Sequence, residues 1–280
     1  MKTGVFFHEI FARGYYPILG DKFRNFPKAI ERELSLPQVR LYTPSPVSEE
    51  LLLKVHTKEL VEQTKRAWYW EAARISVGGC VEAVEKILSG EIRNALVFDV
   101  AAGHHAGRSH AWGGTYLSCT GPALRNAREK FGELRFAILD TDSHHGDGTR
   151  DIFSDDPNTL HVCFCSMEGV SGGGTKVDVR VSWKLTDEEY LELVRREFYP
   201  RVREFKPALI FHEMGHDTCR GDYGDRGLSP DFFPALVREV KSYAEEICEG
   251  RYLVMSLGGA RPDLTEYIFP RVLRVLCGEE

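Results

Sequence analysis

The sequence predicts an α/β protein in which helices cover a parallel sheet. Short β-branched and aromatic runs alternate with longer helical patterns, and each short run is largely apolar, as in strands that are buried on both faces. No linker, repeat or low-complexity segment interrupts the 280 residues, so we expect residues 1–280 to form a single domain. The candidate core strands are residues 4–7, 95–98, 136–139, 160–164, 208–211 and 252–255.

Two helix starts can be read from capping patterns. Thr186 followed by Glu189 matches a capping box, in which each residue satisfies a free backbone N–H of the first helical turn. Ser229 followed by Pro230 predicts the N-cap and the first residue of a long helix that ends near residue 247.

A further helix is predicted over residues 72–88, although it contains Gly78 and Gly79. Glycine in a helix interior costs about 1 kcal/mol relative to alanine. We therefore expect these two glycines to mark a place where the helix packs closely against its neighbour.

Composition excludes several function classes. The chain contains no apolar run near the ~18 residues that a membrane span needs, and its N-terminal apolar run is too short for a signal peptide. The formal net charge is -6 without a basic run, which argues against direct nucleic-acid binding. Seven cysteines are scattered without CxxC pairs, which predicts reduced, mostly buried thiols. We expect a cytoplasmic protein without membrane or nucleic-acid partners.

Histidines cluster in short windows that follow predicted strands, which is where ligands bind in open parallel sheets. The windows hold His104, His105 and His110; His144 and His145; His212 and His216. The remaining histidines, His8, His56 and His161, are interpreted as structural. Cys163 and Cys165 are interpreted as two residues on one face of a buried strand.

The segment FAILDTDSHHGDG, residues 136–148, predicts part of a metal site. In extended backbone, residues i and i+2 point the same way, so Asp142 and His144 can converge on one point. Asp217, after another strand, can supply a third ligand. Three protein ligands with one open position are typical of catalytic zinc.

The adjacent histidines His104 and His105 suit general acid–base catalysis, because the unperturbed imidazole pKa lies near neutrality. Asp140 and Asp147 are then available to orient these rings, since an aspartate on the second ring nitrogen fixes the tautomer.

These residues resemble the histone deacetylase superfamily, which includes acetoin-utilisation proteins and acetylpolyamine amidohydrolases. The segment LDTDSHHGDGTRDIFSDDPNTLHV (139–162) is similar to the family's zinc-binding segment almost residue for residue. GHHAG (103–107), GHD (215–217) and LGG (257–259) lie in the expected order around it, and EELLLKVHTKELVE (49–62) resembles an early helical segment of the family.

The resemblance implies the arginase/deacetylase fold, with a central parallel sheet of about eight strands. It implies zinc, Zn(2+), held by Asp142, His144 and Asp217. His104 would pair with Asp140 and His105 with Asp147, and Gly113 would offer its carbonyl to the substrate amide. The implied reaction is metal-assisted hydrolysis of an amide to acetate and a primary amine.

The chain departs from the family at the oxyanion donor. Most active members carry tyrosine after the glycine pair, whereas here Gly258 and Gly259 are followed by Ala260 and Arg261. Loss of one such donor typically costs ~10²–10³ in rate. Arg261 is the nearest substitute by sequence, and Tyr223 and Tyr267 are further candidates.

The substrate tunnel and a second cation site also depart from the family pattern. Gly114 replaces an aromatic wall residue, and the second aromatic position falls within residues 172–174, which predicts a wider slot. Cys163 replaces a serine hydroxyl, so a monovalent cation beside Asp140 is not expected, because a thiol is a poor ligand for a hard cation.

Together these features favour a zinc-dependent deacetylase or amidohydrolase that acts on a small acylated amine rather than a histone tail. One alternative is a catalytically weakened, metal-dependent binding or sensing protein, which Ala260 would explain. Another is a two-metal ureohydrolase, which would require additional bridging aspartates.

Overall fold

The computed structural model describes residues 2–280, and its centre is a nine-stranded sheet. The strands are β1 (Thr3–Phe6), β2 (Val39–Tyr42), β3 (Asn94–Val97), β4 (Phe136–Asp140), β5 (Thr159–Cys165), β6 (Gly169–Ser171), β7 (Lys176–Arg180), β8 (Leu209–Met214) and β9 (Tyr252–Ser256). Their spatial order is β2-β1-β3-β9-β8-β4-β5-β7-β6. Every neighbouring pair is parallel except β6 with β7, which is antiparallel. The predicted α/β class with a parallel sheet of about eight strands is confirmed.

Helices fill the connections between the strands, as crossovers in a parallel sheet require. They are α1 (Ile10–Arg13), α2 (Glu31–Leu34), α3 (Glu49–Leu53), α4 (Lys58–Lys65), α5 (Trp70–Leu88), α6 (Thr120–Phe131), α7 (Asp147–Phe153), α8 (Asp187–Glu197), α9 (Tyr199–Phe205), α10 (Phe232–Cys248) and α11 (Pro262–Cys277). Short 3-10 turns occur at Lys28–Ile30, Gly172–Gly174 and His216–Thr218.

The central strands are buried on both faces, which explains their apolar sequences. All residues of β3, β4, β5, β8 and β9 are buried. β4 and β8 lie side by side, with Asp140 opposite Glu213. The loops that follow these two strands therefore leave the same edge of the sheet from neighbouring positions, although they are far apart in sequence.

Helix α5 packs against the loop before α3 at Gly78. A β-carbon on Gly78 would lie 1.9 Å from the Ser45 carbonyl oxygen, whereas one on Gly79 would lie 3.2 Å from Val97 Cγ1. The expectation of close packing is confirmed most clearly at Gly78, where only a hydrogen atom fits.

One predicted helix start is confirmed and the other is wrong. Thr186 and Glu189 form a complete capping box at the start of α8. α10, however, begins at Phe232 with Asp231 as its N-cap, and not at Pro230. The reason is that Ser229 is engaged elsewhere, because its backbone N–H and its hydroxyl both donate to the Asp187 carboxylate.

The cysteines are free thiols, and all are buried except the half-buried Cys277. Within residues 2–280, no helix combines the length and apolarity that a bilayer span demands.

Candidate active site

Loops after β3, β4 and β8 meet at one end of the sheet around a cavity of about 380 Å³. The side chains of Ile18, Leu19, Trp112 and Leu257 contribute apolar wall, and the predicted histidines and aspartates lie at the polar end. His104, His105, Asp142, His144 and Gly113 all line this cavity.

The three predicted metal ligands are brought together by the structure. His144 Nδ1 lies 3.0 Å from Asp142 Oδ1 and 3.1 Å from Asp217 Oδ2. Both carboxylates are buried, and the three donor atoms lie within 4.8 Å of one another. Two carboxylates and an imidazole form a donor set that suits a divalent ion such as zinc.

The two buried carboxylates of this cluster need a positive charge nearby to be stable together. Hydrogen bonds to Asp142 and then to Asp217 raise the pKa of His144 to about 10, so the imidazole is protonated at neutral pH. Burial, and next the neighbouring Asp142, raise the pKa of Asp217. Two buried carboxylates at this distance repel each other unless a positive charge lies between them. In this structure the protonated His144 ring supplies that positive charge, which a bound metal ion would otherwise supply.

Three glycines leave room around this cluster. A β-carbon on Gly215 would lie 2.3 Å from Asp142 Oδ2, and one on Gly258 would lie 2.2 Å from the same oxygen. A β-carbon on Gly224 would lie 2.4 Å from Asp217 Oδ2. The carboxylates can therefore approach the backbone closely, which the donor set needs in order to converge.

Each member of the histidine pair has its own carboxylate, in the combination that the resemblance implies. His104 Nδ1 lies 2.9 Å from Asp140 Oδ2, and His105 Nδ1 lies 2.6 Å from Asp147 Oδ1. Burial, and next the neighbouring His104, lower the pKa of His105 to about 4. His105 is thus neutral at pH 7 and able to accept a proton.

Asp140 is fully buried in the site. Burial, and next Asp142, raise its pKa well above the ordinary value. Cys163 Sγ lies 3.7 Å from Asp140 Oδ2, so a thiol occupies the side of this carboxylate where the resemblance would place a hydroxyl. Glu213, which the sequence reading missed, is also buried beside it and accepts hydrogen bonds from Thr149 and Thr120. Burial, and next Asp140, raise the pKa of Glu213 to about 8.

Gly113 and Gly114 are needed for the backbone path over the cavity. Both have positive φ, at 61° and 80°, and a β-carbon on Gly113 would lie 2.5 Å from the His105 ring. Gly113 lines the cavity, whereas a β-carbon on Gly114 would lie 2.7 Å from the Pro17 carbonyl oxygen. Gly114 therefore permits a close loop contact rather than a wider slot.

The aromatic wall is supplied by Trp112, which the sequence reading missed. The centroid of its ring lies 3.9 Å from that of His105, and its indole N–H donates to Asp147 at 2.7 Å. Residues 172–174, where the second wall position was expected, lie in an exposed turn beside β6 and β7. The sequence feature that could have indicated this aromatic wall residue is the position of Trp112 directly before Gly113 and Gly114.

Arg261 does not occupy the position that was predicted for it. Its guanidinium is held at the surface by Asp263, through an Nε–Oδ1 contact of 3.1 Å, and the side chain is 43% exposed. Both Ala260 and Arg261 donate their backbone N–H groups to Asp222. These two hydrogen bonds to Asp222 fix the backbone at Arg261, and its side chain then points away from the cavity.

Tyr223, on the loop after β8, approaches Gly258 and Gly259. Although the residue is 46% exposed, its hydroxyl accepts a hydrogen bond from the Gly259 N–H at 2.9 Å and lines the cavity. A β-carbon on Gly258 would lie within 3.1 Å of this hydroxyl, of Asp142 Oδ2 and of Asp217 Cγ. Burial of the hydroxyl, and next Asp217 and Asp142, raise its pKa far above the ordinary value. The hydroxyl therefore stays protonated.

Sequence reasoning also missed a buried lysine and a buried aspartate at the cavity. Lys22 is buried and donates to the Leu257 carbonyl oxygen. Asp99, which lines the cavity, has its pKa raised by burial to about 7. Burial lowers the pKa of Lys22, while Asp99 acts to raise it. Asp99 could have been noticed, because it lies in the same strand-end window as His104.

Comparison with known proteins identifies the family. Residues 66–276 match the histone deacetylase domain. The chain is 29% identical over 271 residues to a histone deacetylase-like amidohydrolase of Pseudomonas aeruginosa, covering 86% of this chain and 71% of that protein. It is 27% identical to a probable deacetylase of Archaeoglobus fulgidus, covering 92% and 81%.

A rat relative, polyamine deacetylase HDAC10, is 26% identical, with 85% of this chain and 44% of that protein covered. Among solved structures, the HDA15 HD domain superposes with a TM-score of 0.87 at 23% identity, covering 99% of this chain and 90% of that one. That structure supports the fold alone, whereas the match to the domain family covers most of the sequence. The chain belongs to the histone deacetylase domain family.

Proposed function

We propose that this protein is a zinc-dependent amidohydrolase that removes an acetyl or other acyl group from a small amine. One observation carries the proposal. Asp142, His144 and Asp217 converge at the polar end of an apolar cavity, directly beside His104 and His105, each of which has its own carboxylate partner.

Asp142, His144 and Asp217 are the residues that would hold the metal. His144 would bind through Nδ1, the nitrogen that faces both carboxylates. A bound zinc ion would supply Lewis-acid polarisation of the acyl carbonyl and would lower the pKa of a water molecule.

The histidine pair handles protons in this proposal. Asp147 accepts the Nδ1–H of His105, which fixes the tautomer and leaves Nε2 available to take a proton from the attacking water. The ring centroids of His104 and His105 lie only 4.1 Å apart, so charge on one ring disfavours charge on the other. The pair is thus suited to accept one proton and return it to the leaving amine.

Tyr223 supplies the oxyanion donor that Ala260 cannot. Its hydroxyl already accepts a hydrogen bond from Gly259, so its own O–H is free to donate to the developing negative charge on the acyl oxygen. The raised pKa of Tyr223 keeps this proton in place at neutral pH.

The cavity favours a small substrate. Apolar side chains form its walls, with Trp112 stacked on His105, which suits the hydrocarbon portion of an acylated amine. A relative is named a polyamine deacetylase, which is consistent with a small amine rather than a protein tail.

Two measurements on the purified protein test the proposal: its metal content and its hydrolysis of acylated amines. Purified protein should contain zinc and release acetate from one or more members of a panel of acetyl-lysine, acetylpolyamine and acetylated amino-sugar substrates. Asp217→Ala should lose one metal ion per chain and the activity together. Asp263→Ala, which removes a surface carboxylate, should retain both.

Two results would contradict the proposal. If Asp217→Ala kept full metal loading, the ligand set would be wrong. If the wild-type protein bound an acylated amine tightly without hydrolysing any of the panel, the chain would instead be a binding or sensing protein. Hydrolysis that falls strongly in His105→Ala would exclude that alternative.

A further inference from the structure

His144 and His145 are consecutive, but their imidazole rings contact different groups of residues. His144 Nδ1 faces Asp142 and Asp217. His145 Nδ1 instead lies 3.2 Å from Asp178 Oδ1 and 3.6 Å from Cys165 Sγ. A second group of donor atoms therefore forms behind the proposed active site.

The sheet itself assembles this second group. Cys163 and Cys165 are two apart on β5, so their side chains lie on one face, and both are fully buried. Asp178 on β7 is the register partner of Cys163. His145 comes from the loop after β4, on the other side of β5. Three neighbouring strands thus contribute four donors.

The spacing suits a tetrahedral ion. The four donor atoms all lie within 4.8 Å of one another. Zinc bonds of about 2.0 Å to nitrogen or oxygen and about 2.3 Å to sulfur place tetrahedral ligand atoms about 3.3–3.8 Å apart. The His145–Asp178 and His145–Cys165 separations of 3.2 and 3.6 Å are close to these values.

The donor types select a borderline or soft metal. Two sulfurs, an imidazole and a carboxylate favour zinc and disfavour hard cations such as calcium or potassium.

A metal ion can reach this second group of donors from the protein surface. His145 lines a surface cavity together with Ser166 and Trp183, and its side chain is 26% exposed. Arg150 donates to Asp178 Oδ1 at 2.8 Å, and a carboxylate oxygen, which has two lone pairs, can accept this hydrogen bond and still bind an ion. Cys163 also lies 3.4 Å from the Gly146 N–H and 3.7 Å from Asp140.

We propose that His145, Cys163, Cys165 and Asp178 form a second metal site, which binds zinc or another thiophilic divalent ion independently of the proposed active site. A disulfide is a poor alternative for the two thiols. Residues i and i+2 of a strand are about 6.6 Å apart, at the upper end of the range of Cα distances that a disulfide spans.

Cobalt(II) is the probe that separates the two sites. A thiolate ligand gives cobalt a charge-transfer absorption in the near ultraviolet, whereas the Asp142, His144 and Asp217 set contains no sulfur. Cobalt-loaded wild-type protein should show this absorption, and added zinc should remove it. Asp217→Ala should keep the absorption, so the result does not depend on the proposed function.

Three variants assign the absorption to this site. Cys165→Ser should abolish it and lower the metal content by one ion per chain. Asp178→Asn, which leaves every thiol in place, should weaken cobalt binding by at least about tenfold. Cys277→Ser, at the half-buried cysteine, should change neither.

The wild-type measurement alone can overturn the proposal. Absence of the thiolate absorption at saturating cobalt, with the thiols shown to be reduced, would exclude the second site. Survival of the absorption in Asp178→Asn with unchanged affinity would show that Asp178 is not a ligand and would refute the four-residue site.

Discussion

At the scale of single residues, two side chains of the loop after β8 contact the segment that follows β9. The hydroxyl of Tyr223 lies next to Gly258 and Gly259, and the adjacent Asp222 accepts hydrogen bonds from the backbone N–H groups of Ala260 and Arg261. Asp222 therefore anchors the two segments to each other.

Tyr223→Phe removes the proposed donor while keeping the ring. We expect kcat for the best substrate to fall by about 10²–10³ with little change in metal content, because an oxyanion donor acts mainly in the transition state. Steady-state kinetics and metal analysis check this. Tyr267→Phe is the matched control, since the Tyr267 hydroxyl contacts Asp231 at the surface. Equal losses in both variants, or a loss in Arg261→Ala instead, would refute the role.

Residues at strand ends could be predicted from the sequence, and residues that arrive from loops could not. Asp142 and His144 follow β4, so their place at the strand end could be predicted, although the chain bends there and the His144 N–H donates back to Asp142 Oδ1 at 3.0 Å. Trp112 and Tyr223 lie on loops whose paths depend on distant contacts. Lys22 carried no local signal, because its burial depends on the Leu257 carbonyl, 235 residues away.

At the scale of elements, one contact sets the position of helix α5. Gly78 lies against the Ser45 carbonyl so closely that no side chain fits between them. The sequence indicated this packing through a glycine in a helix interior. The start of α10 was misjudged because the Ser229–Asp187 contact is not local, whereas the α8 capping box is complete within four residues.

Gly78→Ala should lower the free energy of unfolding by at least about 1–3 kcal/mol. The new methyl group would overlap the Ser45 carbonyl oxygen, which can move only if the backbone around it moves too. Gly79→Ala is the control one position along the same helix. Its methyl group would meet only side chains, Val97 Cγ1 at 3.2 Å and the Pro44 ring at 3.5 Å, and alanine gains up to about 1 kcal/mol of helix propensity. Urea unfolding of both variants measures the difference. Equal free energies of unfolding would show that α5 is free to shift.

At the scale of the whole molecule, buried ionisable groups link stability to pH with opposite signs. Burial lowers the pKa of His56 to about 4 and that of His212 to about 3, so both rings are neutral inside. Burial raises the pKa of Asp99 to about 7 and that of Glu213 to about 8, so these groups hold protons that the unfolded chain releases. Acidification therefore weakens the fold through the histidines and strengthens it through the acids.

A comparison of variants isolates the His56 contribution. His56 Nδ1 donates to the Gly107 carbonyl oxygen at 2.8 Å, and Nε2 accepts from the Ser118 N–H at 3.0 Å, so the neutral ring is fully bonded. With an unfolded pKa of about 6.5, its stabilising effect is complete above that pH and is lost as the pH falls towards 4. The stability advantage of wild type over His56→Gln should shrink by about 2 kcal/mol between pH 7 and pH 5. Urea unfolding at both pH values measures it, and a constant difference would mean that the ring is already charged inside.

The strand order carries a consequence for how the molecule is made. β9 lies between β3 and β8, yet it is the last strand in the sequence. During synthesis, the β2-β1-β3 group and the β8-β4-β5-β7-β6 group emerge with unpaired inner edges, which are templates for aggregation. Only when residues 252–256 leave the ribosome can the two groups join. Gly258 and Gly259, which line the proposed active site or flank it, follow at once, so this site is completed as the sheet closes.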